Sequence, residues 1–494
     1  MRRTFYPFIL APFILSGCGN AVLNPVSGQA ERSVMSESAE VAEGQKGHQQ
    51  VLQEYGVVKD AGLQAYVNEL GQRLAKQSHR NNLQWHFTVL DSPEINAFAL
   101  PGGYVYVTRG IMAYMEDEAD LAGVIGHEIG HVTARHGAQR ATRQQDAGLG
   151  VLAATLLGAV LESQGMSGAG QLASDVSQSV ASGYIASYGR EQELQSDQLG
   201  AEYLARSNYD PQNMVNVITV LKNQERFAAD QARAEGRPVA EGSSWLASHP
   251  SNEERLRNIT QLAAQYKGRY NNEGRARYLS AINGMDFGEA AEQGLTRGRQ
   301  FYHSSLGIAL TAPSGWKIQN APNQLAVVNP PGTAALVLRA APAQAGRAHE
   351  DVIRNWLKPT QGRTDRLTIN GMPATHFIGA RANAQGRSQA LEATVVSGPN
   401  GKIYVLSYAA KDATTMAQAR RQLEEAQGSF RPMTSADRVA ARPWSLKTIP
   451  YPRGGFAELA RRSPLERAEQ QLRLINGVYG GGEPQVGQLV KMVQ

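Results

Sequence analysis

The sequence predicts a multidomain α+β protein: a mainly helical first domain with a small sheet, then an α/β domain and a small βααβ module. The chain has 494 residues, too many for one hydrophobic core, and roughly two to four domains are expected. Helical periodicity dominates up to about residue 270, whereas alternating, strand-like runs are common after residue 300. This change of pattern is the main reason to expect separate domains.

The N-terminus has the features of an export signal. Arg2 and Arg3 precede a short, mostly apolar run that ends at Leu15, and small residues follow up to Cys18. The run is too short to span a bilayer. Leu15-Ser-Gly-Cys18 resembles the bacterial lipobox, which implies that residues 1–17 are a signal peptide and that Cys18 carries lipid. Cys18 is the only cysteine of the chain, so its lipidation would leave none for a disulfide.

The residue after the cysteine bears on location. Gly19 at this position is similar to lipoproteins that are sent on to the outer membrane. We therefore expect a periplasmic protein that is anchored by its N-terminal lipid, at the outer membrane. The net charge of +5 is small for the length and gives no reason to expect a nucleic-acid partner.

Composition and pattern divide the rest of the chain. A segment rich in Ser, Gly, Ala and Glu reads as a tether, and a polar stretch between the two larger domains reads as a linker. The expected units are a tether (18–45), the first domain (46–270), a linker (271–299), the α/β domain (300–433) and a C-terminal module (443–494).

A metal-binding pattern lies on a predicted helix of the first domain. It reads His127-Glu128-Ile129-Gly130-His131. Residues four apart lie above one another on a helix, so the two imidazoles can share one metal ion. Glu128 lies about 100° around the helix from His127, beside the pair, where it can hold the water that completes zinc coordination.

The two faces of this helix support a buried site. Glu128 and His131 fall on an apolar stripe, where they would be costly without a charge partner such as a divalent metal. The opposite face carries Gly123, Gly126 and Gly130. Each glycine costs a helix about 1 kcal/mol relative to alanine. We therefore expect another element to pack closely against that face.

A zinc site of this type needs a third protein ligand. Glu193 and Asp197 lie four residues apart on another predicted helix, so one can bind metal while the other orients a ligand histidine. Glu191 is the rival ligand, ranked lower because no carboxylate follows it at the same spacing.

Longer segments resemble the M48 metallopeptidases, which are gluzincins. The resemblance covers roughly 45–270 and rests on the run from His127 to His136, the later Glu-x-x-x-Asp, the segment 96–110, and His249-Pro250 followed by Arg255. It implies that His127, His131 and Glu193 bind one Zn²⁺ per chain, that Glu128 is the general base and that Asp197 supports a ligand. It also implies that His249 is a regulatory fourth ligand, the alternative being a structural loop histidine. His136 is expected to pack against the site or support a ligand, without binding metal itself.

The function that follows is a zinc-dependent endopeptidase degrading misfolded or stalled cell-envelope proteins. An unfolded substrate would pair with the edge strand near 97–100. Two alternatives stay open. One is a periplasmic chaperone or assembly factor with a latent protease, and the other is a peptidoglycan-associated hydrolase.

The C-terminal segments carry weaker resemblances. Residues 307–316 resemble the opening of PsbP/Mog1-like domains, where a strand leads into Pro-x-Gly-Trp. Residues 443–494 have the strand–helix–helix–strand order of a degenerate LysM-like module, which makes peptidoglycan a candidate partner. Pro452-Arg-Gly-Gly455 replaces the usual Gly-Asp-Thr, a departure that counts against glycan binding.

Overall fold

The computed structural model describes residues 20–33, 35–146, 188–234, 236, 249, 253–270, 273–321, 323–383 and 387–494. The predicted signal peptide and Cys18 lie outside the described residues. In the part that is described, every helix is too short or too polar to cross a membrane.

The described helices are α1 (Glu37–Tyr55), α2 (Ala61–Ala75), α3 (Arg109–Tyr114), α4 (Glu118–Thr133), α5 (His136–Asp146), α6 (Arg190–Arg206), α7 (Asn213–Ala234), α8 (Glu253–Ala263), α9 (Arg275–Ala281), α10 (His349–Val352), α11 (Ala413–Gly428), α12 (Ser435–Ala440), α13 (Gly455–Ala460) and α14 (Ala468–Ile475). The described strands are β1 (Asn20–Leu23), β2 (Ala30–Ser33), β3 (His86–Leu90), β4 (Ala97–Leu100), β5 (Tyr104–Thr108), β6 (Asp286–Phe287), β7 (Leu295–Arg297), β8 (Gln300–His303), β9 (Ile308–Thr311), β10 (Lys317–Ala321), β11 (Gln324–Val328), β12 (Ala334–Ala340), β13 (Gln361–Ile369), β14 (Met372–Ala382), β15 (Ser388–Ser397), β16 (Ile403–Ala410), β17 (Arg431–Pro432), β18 (Trp444–Pro450) and β19 (Leu489–Val493).

A three-stranded sheet accompanies the helices of the first domain. Its order is β3-β5-β4, with β3 parallel and β4 antiparallel to β5. The predicted hairpin is confirmed, since Leu100 pairs with Tyr104 across the turn. Gly102 and Gly103 adopt φ of 82° and 98°, which side chains other than glycine rarely tolerate.

The helix α4 lies at the centre of this domain, with all its residues buried. The prediction of a close partner on its glycine face is confirmed, and at Gly126 and Gly130 the partner is α6. A Cβ added at Gly126 would lie 3.5 Å from Gly200 Cα, and one at Gly130 would lie 2.9 Å from the Ser196 carbonyl oxygen. The two backbones therefore approach each other where side chains would separate them, and this contact brings Glu193 beside α4.

The segment expected to be a tether is largely folded. β1 and β2 form an antiparallel hairpin, with Leu23 opposite Ala30. The helix α1 then begins at Glu37, because the Ser36 hydroxyl accepts a hydrogen bond from the Ala39 amide at 3.1 Å. Two strands and the start of α1 thus occupy most of the described part of this segment.

The expected linker also differs from the structure. Residues 275–281 form the helix α9, which buries Tyr278 and Leu279 in the same core as α4. The Tyr278 hydroxyl donates a hydrogen bond to the Met112 carbonyl. Burial of these apolar side chains outweighs the polar composition of the segment.

The α/β region contains a seven-stranded antiparallel sheet in the order β10-β11-β12-β16-β15-β14-β13. A second sheet, β17-β9-β8-β7, and α11 contribute to the same core. The strand-like runs noted after residue 300 are largely strands, and a π-helical turn, Ile353–Leu357, follows α10.

The C-terminal module has the predicted strand–helix–helix–strand order, with β18 antiparallel to β19. Its apolar residues, Phe456 and Leu472 among them, join the core of the first domain. Lys491 on β19 is fully buried and donates hydrogen bonds to the carbonyl oxygens of Ala113, at 2.9 Å, and Met115, at 2.6 Å. The module is therefore packed against the helical domain and is not a separate appendage.

Candidate metal centre

Four buried side chains converge beside α4. His127 and His131 come from α4, Glu193 comes from α6, and His249 lies just before α8. One ligand atom from each lies within 4.8 Å of all the others. The i, i+4 spacing on α4 and the glycine contact with α6 account for three of the four positions.

The spacing of these atoms suits one small cation. His127 Nε2 lies 3.0 Å from His131 Nε2 and 3.1 Å from His249 Nδ1. Glu193 Oε1 lies 3.0 Å from His249 Nδ1 and 3.4 Å from His131 Nε2. Tetrahedral ligands at zinc bond lengths of about 2.0–2.1 Å would be separated by roughly 3.3–3.4 Å. The cluster therefore has nearly the dimensions of a zinc site.

A second set of contacts holds the cluster in place. Asp197 Oδ1 accepts a hydrogen bond from His127 Nδ1 at 2.9 Å, which directs the other ring nitrogen toward the cluster. The Arg255 guanidinium donates to both oxygens of Asp197, at 2.7 and 2.8 Å. It also lies 2.8 Å from Glu193 Oε2. One buried arginine thus braces both carboxylates of α6.

The charge of the site favours a divalent cation. Glu128, Glu193 and Asp197 are buried with Arg255, so three carboxylates face one guanidinium. With neutral imidazoles the formal charge is −2, which Zn²⁺ would neutralise.

The pKa shifts of these side chains reflect the same balance of charge and burial. Burial opposes protonation of His127, but the hydrogen bonds that it donates to the Asp197 and Glu193 carboxylates outweigh burial and raise its pKa to about 9. Burial keeps the pKa of His131 well below the ordinary value. For Glu193, burial is outweighed by His249 and the other two histidines, which hold the carboxyl pKa well below its usual range. The carboxylate is therefore ionised, as a metal ligand must be.

Glu128 lies at the edge of the cluster. Its Oε1 is 3.5 Å from His249 Nε2, and the side chain is buried. The Tyr188 ring stacks on His131 with ring centroids 3.8 Å apart. The carboxylate thus contacts the ring of one cluster residue through its outer nitrogen, from a buried position.

The structure distinguishes between the residues proposed from sequence. Glu193 and Asp197 face α4, whereas the rival ligand Glu191 is exposed. His249 lies inside the cluster. Arg255 had been noted only as part of a family segment, and its role could not be read from sequence, since 58 residues separate it from Asp197.

Comparison with known families identifies the first domain. Residues 61–263 match peptidase family M48. The beta-barrel assembly-enhancing protease of Yersinia pestis is 31% identical over 249 residues, which are 50% of this chain and 48% of that protein. Its namesake in Escherichia coli K12 is 32% identical over 248 residues, 49% of this chain and 47% of that protein. The mitochondrial metalloendopeptidase OMA1 of Schizosaccharomyces pombe is 28% identical over 246 residues, which are 48% of this chain and 65% of that protein.

The chain spans about half the length of these bacterial relatives. Among solved structures, LpqN of Mycobacterium tuberculosis is 17% identical with a TM-score of 0.20, covering 26% of this chain and 83% of that one. PsbP from Synechocystis is 10% identical with a TM-score of 0.20, and the match covers 28% of this chain and 98% of that one. These scores leave the PsbP-like character of residues 300–433 a prediction. The family match and the buried His-Glu-x-x-His helix agree, and residues 61–263 are a domain of peptidase family M48.

Proposed function

We propose that this chain is a zinc-dependent endopeptidase in which His127, His131 and Glu193 hold one Zn²⁺ per chain. Glu128 is the general base. The observation that carries the proposal is the convergence of four buried donor atoms within 4.8 Å of one another. Membership of residues 61–263 in an M48 domain and relatives named as metalloendopeptidases support it.

The chemistry divides between the ion and the protein. Zn²⁺ held at this point supplies Lewis acidity toward a peptide carbonyl and activates water. The Glu128 carboxylate takes the proton from the attacking water and later delivers it to the leaving amine. Its buried position next to a cluster histidine, and directly after His127 on α4, supports this role.

The substrate would bind as an extended strand. In the sheet order β3-β5-β4, the strand β4 lies at one edge, and its four residues are buried, so substrate pairing would require this edge to be uncovered. Ala99, Leu100 and Pro101 border a small space that also touches His131 and Tyr188. Pairing with this edge would give affinity through backbone hydrogen bonds and little sequence preference. That binding mode suits unfolded chains.

His249 would keep the resting enzyme latent. A catalytic zinc site leaves one position for water, whereas His249 adds a fourth protein donor to the cluster. Arg255 Nη1 donates to the His249 carbonyl at 3.0 Å, so the residue is tied to the arginine that braces Asp197. Activity then requires His249 to move away, and the population of the open state sets the rate.

We further propose that the substrates are misfolded or stalled cell-envelope proteins, and that Cys18 anchors the enzyme by lipid in the periplasm, at the outer membrane. The export signal and lipobox-like motif support the location. The names of the bacterial relatives, beta-barrel assembly-enhancing proteases, support the substrate class.

The second candidate is an assembly factor whose protease is normally closed. The position of His249 among the ligand atoms favours it, because such a site would be inactive at rest. The peptidoglycan hydrolase has only the LysM-like order of the C-terminal module in its support.

Cleavage of an unfolded protein tests the proposal. We expect the mature chain to degrade casein, chelator to abolish this, and Glu128→Gln to abolish it while zinc stays bound. Glu191→Gln, an exposed change of the same kind, should cleave like the parent. Retained cleavage in Glu128→Gln would refute the assignment of the base. Rescue of substrate assembly by Glu128→Gln would favour the assembly factor, and release of muropeptides would favour the hydrolase.

A further inference from the structure

A fourth histidine contacts the site without joining the ligand cluster. His136 is fully buried, and its Nδ1 lies 2.8 Å from His131 Nδ1. Two neutral imidazole nitrogens at this distance share one hydrogen, so one must donate and the other accept. His131 can offer a lone pair at Nε2, the atom in the cluster, only if its hydrogen is on Nδ1.

The other side of His136 meets an amide. His136 Nε2 lies 3.0 Å from Gln195 Oε1 on α6. The same oxygen lies 3.1 Å from Asn24 Nδ2, in the turn of the N-terminal hairpin. An oxygen accepts from both neighbours, whereas a flipped amide would donate to both. The orientation of Gln195 therefore decides which tautomer His136 adopts.

Asn24 fixes that orientation. Its Oδ1 accepts hydrogen bonds from the backbone amides of Val26, at 2.8 Å, and Ser27, at 3.2 Å. Backbone N–H groups can only donate, so the side-chain atom of Asn24 that faces them must be the oxygen. The atom that faces Gln195 is therefore the NH₂ nitrogen. This NH₂ group donates to Gln195, whose oxygen then also accepts from His136 Nε2.

The direction of each bond follows in turn. With hydrogen on Nε2, neutral His136 has a lone pair at Nδ1 and accepts from His131 Nδ1. His131 Nε2 is then free of hydrogen and directed at the cluster. The Ser196 hydroxyl, 3.3 Å from His136 Nδ1, can donate to the same lone pair.

We propose that Asn24, Gln195 and His136 form a relay of positioning residues that sets the tautomer of His131 and thereby the affinity of the site for metal. The inference rests on the proposed zinc site. It gives the hairpin β1–β2 a specific role in metal binding, although Asn24 in its turn lies 103 residues before His127 in the sequence. Partners that fix the tautomer of a ligand histidine typically contribute about 10–100-fold to metal affinity.

Two nearly isosteric variants test the relay, and both add one negative charge. In Asn24→Asp the carboxylate still accepts from the Val26 and Ser27 amides, but it cannot donate to Gln195. The Gln195 amide should flip, His136 should reverse, and His131 should present N–H to the metal. In Gln195→Glu the carboxylate still accepts from both neighbours, so the tautomers should stay as in the parent.

The readout is zinc affinity of the full mature chain, measured by competition with a chromogenic chelator, with circular dichroism to confirm folding. We expect Asn24→Asp to bind zinc about 10–100-fold more weakly and Gln195→Glu to bind like the parent. Unchanged affinity in both variants would overturn the relay. Equal loss in both would also overturn it, because charge would then be the cause. A parent chain without zinc would instead refute the proposed function.

Discussion

The contact between α4 and α6 predicts that one substitution has different effects at two glycines of α4, because Gly130 faces α6 whereas Gly123 faces α7. Gly130→Ala places a Cβ 2.9 Å from the Ser196 carbonyl oxygen and 3.0 Å from Ser196 Cα, where backbone must move. Gly123→Ala places a Cβ 3.5 Å from side-chain atoms of Met214 and Val217, which is ordinary contact. Both glycines lie inside α4.

The magnitudes follow from two opposing contributions. Replacing glycine by alanine inside a helix stabilises it by about 1 kcal/mol at either site. Overpacking a tight contact costs about 1–3 kcal/mol, and only Gly130→Ala incurs it. Because the helix contribution cancels in the comparison, Gly130→Ala should be less stable than Gly123→Ala by about 1–3 kcal/mol. This corresponds to a Tm difference of roughly 2–12 °C.

Calorimetry of the metal-free proteins measures this difference, and zinc titration adds a second readout. Gly130→Ala should also bind zinc more weakly, since pushing α6 away from α4 separates Glu193 from the two histidines. Gly123→Ala should bind like the parent. Equal Tm values for the two variants, or equal zinc affinity at lower stability, would refute the claim that this contact sets the ligand geometry.

Three further predictions concern the inhibitory role of His249, the pH dependence of zinc binding and the lipid anchor at Cys18. His249→Ala should raise basal proteolysis and keep zinc, and a fall in activity with the fold intact would mean that the imidazole assists the reaction instead. His127 in the metal-free site has a pKa of about 9, since its partners Asp197 and Glu193 outweigh burial. Below pH 9, one proton must therefore leave His127 before zinc can bind. The apparent zinc affinity should rise about tenfold per pH unit from pH 7 to 9 and then level off. A zinc affinity that does not change with pH in a chelator competition would contradict this. Cys18→Ser should abolish labelling of the protein by fatty acid and its presence in the membrane fraction. Unchanged labelling would place the anchor elsewhere.

The parts of the site that sequence could predict are those set by local spacing. His127 and His131 share a helix face because they are four residues apart, and the glycines opposite them indicated a close neighbour. Glu193 ranked above Glu191 because Asp197 follows it by one helical turn. Each of these inferences used only the geometry of one helix.

The parts that local spacing could not predict depend on contacts between distant segments. His249 meets His127 across 122 residues, and it was the family resemblance, not a local pattern, that indicated His249. The relay through His136 depends on a hairpin in a segment whose composition resembles a tether. Its fold is determined by tertiary contacts such as the one from Asn24 to Gln195.

The packing of the C-terminal half was missed for a similar reason. Tyr278, Leu279 and Ile282 have helical spacing inside the expected linker, a signal that its polar neighbours obscured. Lys491 would be expected to face solvent in the pattern of β19, yet it is buried against two carbonyl groups. Burial lowers the pKa of this amine to about 7, which shows how strongly packing of the module overrides the residue's usual preference.

The most direct test of the zinc site is the metal content of the purified mature chain, compared between Glu193→Gln and Glu191→Gln. A single three-ligand site predicts about one zinc per parent chain. Glu193→Gln should lose most of this zinc after dialysis, whereas Glu191→Gln should retain it, since Glu191 is exposed and Glu193 lies among the ligand atoms. A parent chain that cleaves casein without any bound metal, or a Glu193→Gln variant that retains zinc like the parent, would contradict the account.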